Sequence, residues 1–426
     1  MNKVFQKVNS VNGELKLTGD KSISHRAVIF SAMANGKSQI TNLSQGQDVI
    51  STMVIVHKLG ASIYTKERNI LIGGCGFRGF KNTKTMLDCG NSGTSARLIS
   101  GLLTAQKYTY NLTGDESLSK RPMNRVIEPL SKMGAGFKTT ENLTLPFTIT
   151  PAKELNNIIY EMPLASAQVK SAILIAGLHS ENETVVIERE VTRNHTEQML
   201  GLEVKRENRR IISSSSLKYY PAPNEYFIPG DISTAAFHVV LTLLTPNSEL
   251  LIHDVSLNPT RTGYIDILKL MGANISYENI RVSSNENYGN VVIKSSTLKN
   301  IKIDPDLVPN IIDEVPILAI AGIFASGQFE IRKAKELRFK ESDRIKSLCF
   351  NLGLTGLNIE ELEDGFIISG DIKKSKVTFE SFGDHRIAMT FAVLSMITGN
   401  GGEVKDFECV SISNPKFLEQ IDSISS

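Results

Sequence analysis

Apolar residues follow two different periods along the chain. Stretches with apolar residues at helical spacing, such as VISTMVIVHKLG and TGYIDILKLMG, end in a glycine. Glycine is a common helix terminator because it adopts the left-handed conformation without a Cβ clash. Short stretches of alternating polarity, such as GNVVIKSS and DGFIISG, predict strands. Strand and helix units recur about every 70 residues, which predicts an α/β protein.

The same pattern occurs twice in the chain. Asp20 in LTGDKS recurs as Asp231 in IPGDIS, and the helix-ending Gly60 recurs as Gly272 at nearly the same offset. Two unrelated signals with nearly one period favour a duplicated half over a chance match of short motifs. We therefore predict two similar domains that exchange the chain at the two Gly-Asp turns. The N-terminal domain comprises 21–229, and the C-terminal domain comprises 1–20 plus 230–426.

Four segments place basic residues at or just before a predicted helix start. These segments are KSISHR from Lys21, RPMNR from Arg121, KESDR from Lys340 and DHR from Asp384. Free N–H groups and the positive end of the helix dipole attract phosphate or carboxylate, and arginine can bind either group with two hydrogen bonds. Any one segment could equally be surface charge with Asp or Ser as the N-cap. Four related segments together predict an anion-binding site.

Other polar segments have an ordinary structural interpretation. CGNSGTSAR predicts a glycine-rich loop that leads into a helix and could bind an anion, although it lacks the P-loop ending and the GxGxxG fingerprint. Asp313-Glu314 and His195 are typical of capped helix starts. We expect Cys89 to be a packed residue, because nothing marks it as an activated nucleophile.

Composition excludes several classes of function. The formal charge of +2 over 426 residues gives no sign of a nucleic-acid or membrane-binding surface. The four cysteines have no metal-ligand spacing, which argues against structural zinc and a disulfide framework. We find neither a signal-peptide pattern nor an apolar run of membrane-spanning length. We therefore expect a cytoplasmic protein without a metal site.

A series of segments resembles the 5-enolpyruvylshikimate-3-phosphate synthases, a branch of the enolpyruvyl transferase family. In chain order they are GDKSISHRA, GNSGTSARL, SLSKRPMNRVIEPLSKMGA, SAQVKSAILIAGL, TRNHTEQML, PGDISTAAF, NPTRTG, DEVPILAIA, LRFKESDRI and GDHRIAM. The resemblance implies two α/β domains, each of three βαβαββ units, with the active site in the cleft between them. It also implies no cofactor.

The resemblance further implies a reaction. Phosphoenolpyruvate gives its enolpyruvyl group to the 5-hydroxyl of shikimate 3-phosphate and releases phosphate, a step towards chorismate and the aromatic amino acids. The methylene carbon is protonated while the alcohol attacks the adjacent carbon, and elimination from the tetrahedral intermediate reverses the proton transfer. Carboxylates and a lysine suit such proton transfers.

Site residues follow from the resemblance as well. The candidates for proton transfer are Lys21, Asp313 and Glu341. The candidates for substrate binding are Lys21, Ser22, Arg26, Gly93, Arg121, Ser166, Ala167, Gln168, Arg193, Asp313, Lys340, Arg344, His385 and Arg386. In glyphosate-sensitive members of the family, the position of Gly93 lies beside the space that this inhibitor occupies. Ile412 stands where some members carry a lysine, so we predict no C-terminal lysine ligand.

Two other functions fit parts of the sequence. A related transferase moves enolpyruvate onto UDP-N-acetylglucosamine, but SAQVKSA and KESDRI match the shikimate branch better. A non-catalytic protein of the same repeat unit could bind a phosphate ligand or RNA, but it would need a continuous basic face with aromatics. The chain has no Trp and a balanced charge. We expect a monomer that acts on two small molecules, phosphoenolpyruvate and shikimate 3-phosphate.

Overall fold

A computed structural model describes residues 1–66, 69–374 and 376–426. The strands are β1 (Lys3–Phe5), β2 (Asn12–Lys16), β3 (Lys37–Thr41), β4 (Ser62–Lys66), β5 (Asn69–Gly73), β6 (Leu87–Asp88), β7 (Tyr110–Thr113), β8 (Gly136–Lys138), β9 (Phe147–Thr150), β10 (Ile159–Glu161), β11 (Thr184–Glu188), β12 (Glu203–Glu207), β13 (Arg210–Ser215), β14 (Glu225–Phe227), β15 (Glu249–Ser256), β16 (Asn274–Ser283), β17 (Glu286–Lys294), β18 (Phe329–Ile331), β19 (Asn358–Leu362), β20 (Gly365–Ser369), β21 (Val377–Phe379) and β22 (Gly402–Val404). The helices are α1 (Lys21–Met33), α2 (Gln47–Lys58), α3 (Gly93–Thr104), α4 (Asn124–Lys132), α5 (Ala167–Gly177), α6 (His195–Leu200), α7 (Ile232–Leu244), α8 (Gly263–Leu270), α9 (Val308–Ile311), α10 (Val315–Ile323), α11 (Arg344–Leu354), α12 (His385–Ile397) and α13 (Phe417–Ile424).

The chain forms two compact units. Unit I comprises Gly19–Ile228 and Val282–Glu286. Unit II comprises Met1–Thr18, Pro229–Arg281 and Asn287–Ser426. The chain therefore leaves one unit for the other beside each of the two Gly-Asp turns, and a short third exchange lies at 282–286.

Unit I repeats one sheet topology. Its sheets have the strand orders β14-β3-β5-β4, β6-β7-β9-β8 and β10-β11-β13-β12. In each sheet the first pair is parallel, whereas the other two pairs are antiparallel. The segments β6-α3-β7-α4-β8-β9 and β10-α5-β11-α6-β12-β13 each read βαβαββ in chain order. The α/β fold predicted from the sequence is confirmed.

Unit II uses the start of the chain to complete its sheets. Its strand orders are β16-β17-β15-β2, β18-β20-β19 and β1-β22-β21. β2 pairs in parallel with β15, and β1 pairs antiparallel with β22. Residues near the N-terminus thus pair with strands from the second half of the chain, as Lys3 does with Val404.

Three core helices occupy the interior of each unit. In unit I they are α1, α3 and α5, most of whose residues are buried. A Cβ on Gly101 of α3 would lie 2.2 Å from the carbonyl oxygen of Ala172 in α5, so glycine permits this close approach. In unit II, α7, α10 and α12 are buried in the same way and contact one another. Helices that are apolar on nearly all sides belong in a core. Where these six helices carry Lys or Arg, the residue lies in the first two turns.

Candidate functional site

In unit I, α1 places Lys21 and Ser22 in its first turn. The N-cap residue Asp20 accepts a hydrogen bond from the Ile23 N–H, which fixes where the helix begins. Lys21 Nζ donates to Asp48 Oδ2 at 3.0 Å, and the Lys21 side chain is 19% exposed. The ammonium group therefore lies at a helix start with part of its surface accessible, as an anion-binding lysine requires.

Arg26 is buried one turn further along α1. Its Nε donates to Thr196 Oγ1 at 2.8 Å, and its terminal nitrogens donate to Ser171 Oγ at 2.7 Å and to the Ser22 carbonyl at 2.8 Å. Burial lowers the pKa of Arg26 to about 10, while Glu197 opposes that shift. Three of its five N–H groups thus bind protein oxygens, and the side chain connects α1 to α5 and α6.

The glycine-rich loop brings Gly93, Arg121 and Gln168 together. Gly93 is the first residue of α3, after the N-cap Ser92. Arg121 Nη1 would lie 3.6 Å from a Cβ built on Gly93. Arg97 Nη1 donates to Gln168 Oε1 at 2.6 Å and to the Gly93 carbonyl at 3.4 Å. Sequence reasoning missed Arg97, although it belongs to the GNSGTSAR motif.

The Arg121 guanidinium donates to polar side chains of this loop. Its Nη2 donates to Asn91 Oδ1 at 2.8 Å and to Ser117 Oγ at 3.4 Å. Asn91 in turn donates to Asp115 Oδ2 at 2.7 Å. Arg121 is 9% exposed. These hydrogen bonds hold the guanidinium beside Gly93, where its positive charge can bind an anion.

The α5 start carries the remaining residues of unit I. Ser166 is the N-cap of α5, whose first two residues are Ala167 and Gln168. Gln168 Nε2 also donates to Thr94 Oγ1 at 2.9 Å. Arg193 lies two residues before α6 and within electrostatic range of Arg26. The first turns of α1, α3 and α5 therefore hold most of the predicted substrate residues of this unit.

His195 belongs to the interior of unit I. It is fully buried, and its Nδ1 lies 2.7 Å from Glu286 Oε1. Its structural interpretation from the sequence agrees with this position. Cys89 is buried too, and burial raises the pKa of its thiol, so it is not an activated nucleophile.

In unit II, Arg344 lies among three carboxylates. Its Nε donates to Asp384 Oδ2 at 2.8 Å, its Nη1 to Asp313 Oδ1 at 3.2 Å and its Nη2 to Glu341 Oε2 at 2.5 Å. Burial by itself would lower the pKa of Arg344, but the three carboxylates outweigh it and raise the pKa above its ordinary value. Arg344 therefore stays charged although it is only 1% exposed.

Asp313 forms ion pairs with other cations of the same cluster. Lys340 Nζ lies 3.6 Å from its Oδ1, and Arg386 Nη2 lies 3.8 Å from its Oδ2. Arg386 Nη1 also donates to the Asp313 carbonyl at 2.8 Å. The capping role that the sequence suggested for Asp313-Glu314 is wrong. Glu314 occupies the N-cap position of α10 and makes no side-chain cap bond, because the Asp313 carboxylate faces the arginines.

The start of α12 completes the cluster. Asp384 caps this helix by accepting from the Arg386 N–H at 2.9 Å, and His385 is its buried first residue. Burial by itself would raise the pKa of Asp384, whereas Arg344 lowers it below its ordinary value. All predicted residues of unit II thus lie in one cluster, where carboxylates and cations alternate at the starts of α10, α11 and α12. Such an arrangement can bind anions and exchange protons.

The described residues contain neither a cluster of metal-binding side chains nor a membrane-spanning helix. No group of three or more His, Cys, Asp or Glu side chains that could hold a metal ion occurs in 1–66, 69–374 or 376–426. Within those same ranges, no helix has both the length and the apolarity to cross a membrane.

Comparisons with known proteins point to one family. A family model described as EPSP synthase (3-phosphoshikimate 1-carboxyvinyltransferase) matches residues 5–421. A 3-phosphoshikimate 1-carboxyvinyltransferase of Petrotoga mobilis is 44% identical over 98% of each chain. The solved EPSP synthase from Acinetobacter baumannii gives a TM-score of 0.87 with 41% identity, and the match covers 100% of this chain and 98% of that one. The enolpyruvyl transferase NikO from Streptomyces tendae gives a TM-score of 0.78 with 12% identity over 100% and 97% of the two chains, which is a likeness of fold alone.

Proposed function

This chain belongs to the EPSP synthase family, and on that premise we propose that it transfers the enolpyruvyl group of phosphoenolpyruvate to the 5-hydroxyl of shikimate 3-phosphate. Phosphate is the second product. The observation that carries the proposal is the gathering of cations near the starts of α1 and α3 in unit I, and of cations and carboxylates at the starts of α10, α11 and α12 in unit II. We assign residues of both units to this reaction.

The cations bind the charged groups of the two substrates. Both substrates carry a phosphate and a carboxylate, which helix N-termini and guanidinium groups bind well. Arg121, Arg344 and Arg386, with Gly93 and Gln168, are assigned to phosphoenolpyruvate. Shikimate 3-phosphate is assigned to the α1 and α5 starts together with Arg193, Asp313 and Lys340, and Lys21 faces both ligands.

Proton transfer is assigned to Lys21, Asp313 and Glu341. In the addition step, an acid protonates the methylene carbon of phosphoenolpyruvate while a base removes the proton of the 5-hydroxyl, whose oxygen bonds to the adjacent carbon. In the elimination step, the methyl carbon loses a proton and the carbon–oxygen bond to phosphate breaks. Asp313 and Glu341 both contact Arg344, whose positive charge favours a carboxylate that accepts a proton over a carboxylic acid that donates one.

We also propose that the protein is a cytoplasmic monomer without a nucleic-acid partner. The near balance of 47 basic and 45 acidic residues supports the last point, since a nucleic-acid surface needs an excess of basic groups. Light scattering after size exclusion tests the first point. We expect a mass near 46.9 kDa, and twice that value would contradict the monomer.

Phosphate release tests the proposed function. The purified protein receives phosphoenolpyruvate with shikimate 3-phosphate, with UDP-N-acetylglucosamine, or with no acceptor. We expect release only with shikimate 3-phosphate, together with the mass of the enolpyruvyl ether. Release with the UDP-sugar would favour the related transferase, and no release with either acceptor would contradict enolpyruvyl transfer.

A further inference from the structure

A residue outside the predicted site, Asp48, contacts the proposed catalytic lysine. Asp48 lies in the first turn of α2 and is 6% exposed. Its Oδ2 accepts from Lys21 Nζ at 3.0 Å. Lysine has a flexible four-carbon stem, so a carboxylate at this distance restricts where the ammonium group lies.

A buried chain of polar groups holds Asp48 in place. The Asp48 carbonyl accepts from Ser95 Oγ at 3.3 Å, Ser95 Oγ lies 2.6 Å from Thr52 Oγ1, and Thr52 Oγ1 lies 2.7 Å from His25 Nδ1. Burial lowers the pKa of His25 well below its ordinary value, and Lys21 and then Arg26 add to that shift. The imidazole is therefore neutral at physiological pH. This chain connects the starts of α1, α2 and α3, the helices that carry Lys21, Asp48 and Gly93.

The duplicated half supplies an internal comparison. α1 and α7 each have 13 residues and an aspartate N-cap, Asp20 or Asp231. The offset between these two caps places Ile232 opposite Lys21. The offset between the helix-ending glycines of the two halves places Thr260 opposite Asp48. Unit II therefore has neither a lysine nor an aspartate at these two positions, although the neighbouring residues Asp231 and Arg261 form an ion pair of their own at 3.5 Å. The Lys21–Asp48 pair is thus specific to unit I.

We infer that Asp48 is a positioning residue for Lys21 in enolpyruvyl transfer, an inference that rests on the proposed function. Asp48 repels an anionic substrate, so it does not serve to attract one. It instead fixes the ammonium group in the orientation that proton transfer requires. Misplacement of a reacting group by about 1 Å can lower a rate on the order of 100-fold.

Asp48→Asn separates positioning from stability. The amide keeps the shape and removes the charge. We expect kcat to fall on the order of 10- to 100-fold, while KM for phosphoenolpyruvate stays the same or decreases because a negative charge has been removed. Asp48→Glu should recover part of kcat. Glu203→Gln is the matched control, since it removes the carboxylate of an exposed Lys205–Glu203 pair in the same unit.

A second background shows whether Asp48 acts through Lys21. In the Lys21→Met variant, the additional change Asp48→Asn should alter the residual rate less than about twofold, because the ammonium group that Asp48 positions is absent. An equal loss on both backgrounds would overturn the inference. A kcat for Asp48→Asn within twofold of wild type would also overturn it. So would a fall in kcat that is fully explained by a lower melting temperature. An inactive wild type would overturn the proposed function and this inference with it.

Discussion

At the residue scale, Gly93 shows what an added methyl group would meet. Gly93 does not have a positive φ, whereas Gly90 in the same loop has a φ of 55°. A positive φ is therefore not the reason for a glycine at position 93. A Cβ on Gly93 would lie 2.7 Å from Arg97 Nη1. The end of that flexible side chain can move, but it also holds Gln168.

Gly93→Ala should weaken glyphosate binding more than it weakens phosphoenolpyruvate binding. Glyphosate is longer than phosphoenolpyruvate, so the methyl group and the displaced Arg97 should crowd glyphosate more. We expect a folded enzyme whose glyphosate inhibition constant rises on the order of tenfold or more, with a smaller rise in KM for phosphoenolpyruvate. Gly90→Ala is the control, and it should lose about 1 kcal/mol of stability without a change in selectivity. An equal loss of affinity for glyphosate and for phosphoenolpyruvate in Gly93→Ala would contradict this explanation.

Two arginines of the site should respond differently to replacement by alanine. Arg121→Ala removes a side chain that donates to Asn91 and Ser117, so we expect lower kcat/KM and a smaller loss of unfolding free energy than in Arg344→Ala. Arg344→Ala removes a buried cation that contacts Asp313, Glu341 and Asp384, so we expect lower kcat/KM and a stability loss of about 3–5 kcal/mol. Steady-state kinetics and urea unfolding measure both quantities. Equal stability losses would contradict the charge arrangement described for Arg344.

Buried histidines should make stability depend on pH. Burial lowers the pKa of His238 from 6.5 to about 4, while its hydrogen bond to Gln420 opposes that shift. Between these values the unfolded chain binds a proton that the folded chain does not, so stability falls as the pH falls from 6.5 towards 4.

His238→Gln should weaken this pH dependence. Between pH 7 and pH 5, wild type should lose about 2 kcal/mol more unfolding free energy than the variant does. Urea unfolding at the two pH values measures the difference. Parallel losses would mean that His238 is protonated in the folded state.

At the element scale, local residues determine several helix starts. Asp20, Asp231, Asp343 and Asp384 each accept a backbone N–H bond at the start of a helix. Such caps depend on residues two or three positions away, so the sequence could predict them. Asp313 could not be predicted in this way, because its carboxylate bonds to an arginine 31 residues later. Side chains that are this far apart in sequence leave no pattern among neighbouring residues that would predict their contact.

α5 contains a buried ion cluster that the sequence did not reveal. Lys170 is 1% exposed, and its Nζ lies 2.7 Å from both Glu188 and Glu197. Burial by itself would lower the pKa of Lys170, but Glu197 and Glu188 raise it above its ordinary value. The cluster connects α5 to β11 and α6, so it supports the helix start that carries Gln168.

Lys170→Met should destabilise unit I. It leaves two buried carboxylates without a cation, at a cost of about 3–5 kcal/mol in unfolding free energy. Lys132→Met is the control, because its pair with Glu128 is exposed and should contribute less than about 1 kcal/mol. Urea unfolding compares the two variants. A loss for Lys170→Met no larger than for Lys132→Met would contradict the contribution assigned to this cluster.

At the scale of the whole molecule, the sequence predicted the duplication, but it did not predict which distant segments pair with each other. The offset shared by the Gly-Asp turns and the helix-ending glycines predicted two similar halves, and three core helices recur in each unit. Strand pairs such as Lys3 with Val404 join segments near the two ends of the chain, and no local pattern marks them. The assignment of 282–286 to unit I likewise had no sequence signal. Periodicity therefore predicts repeated elements, while contacts distant in sequence decide how they combine.

The fate of the bridging oxygen of phosphoenolpyruvate tests enolpyruvyl transfer most directly. The substrate carries heavy oxygen between its carbon and phosphorus atoms, and it reacts with shikimate 3-phosphate in deuterated water. Phosphorus NMR detects the label in the released phosphate, and mass spectrometry detects deuterium in the product. Because the carbon–oxygen bond breaks after the methylene carbon is protonated, we predict labelled phosphate and an enolpyruvyl ether that contains deuterium. Unlabelled phosphate with free pyruvate would show phosphorus–oxygen cleavage and contradict the account.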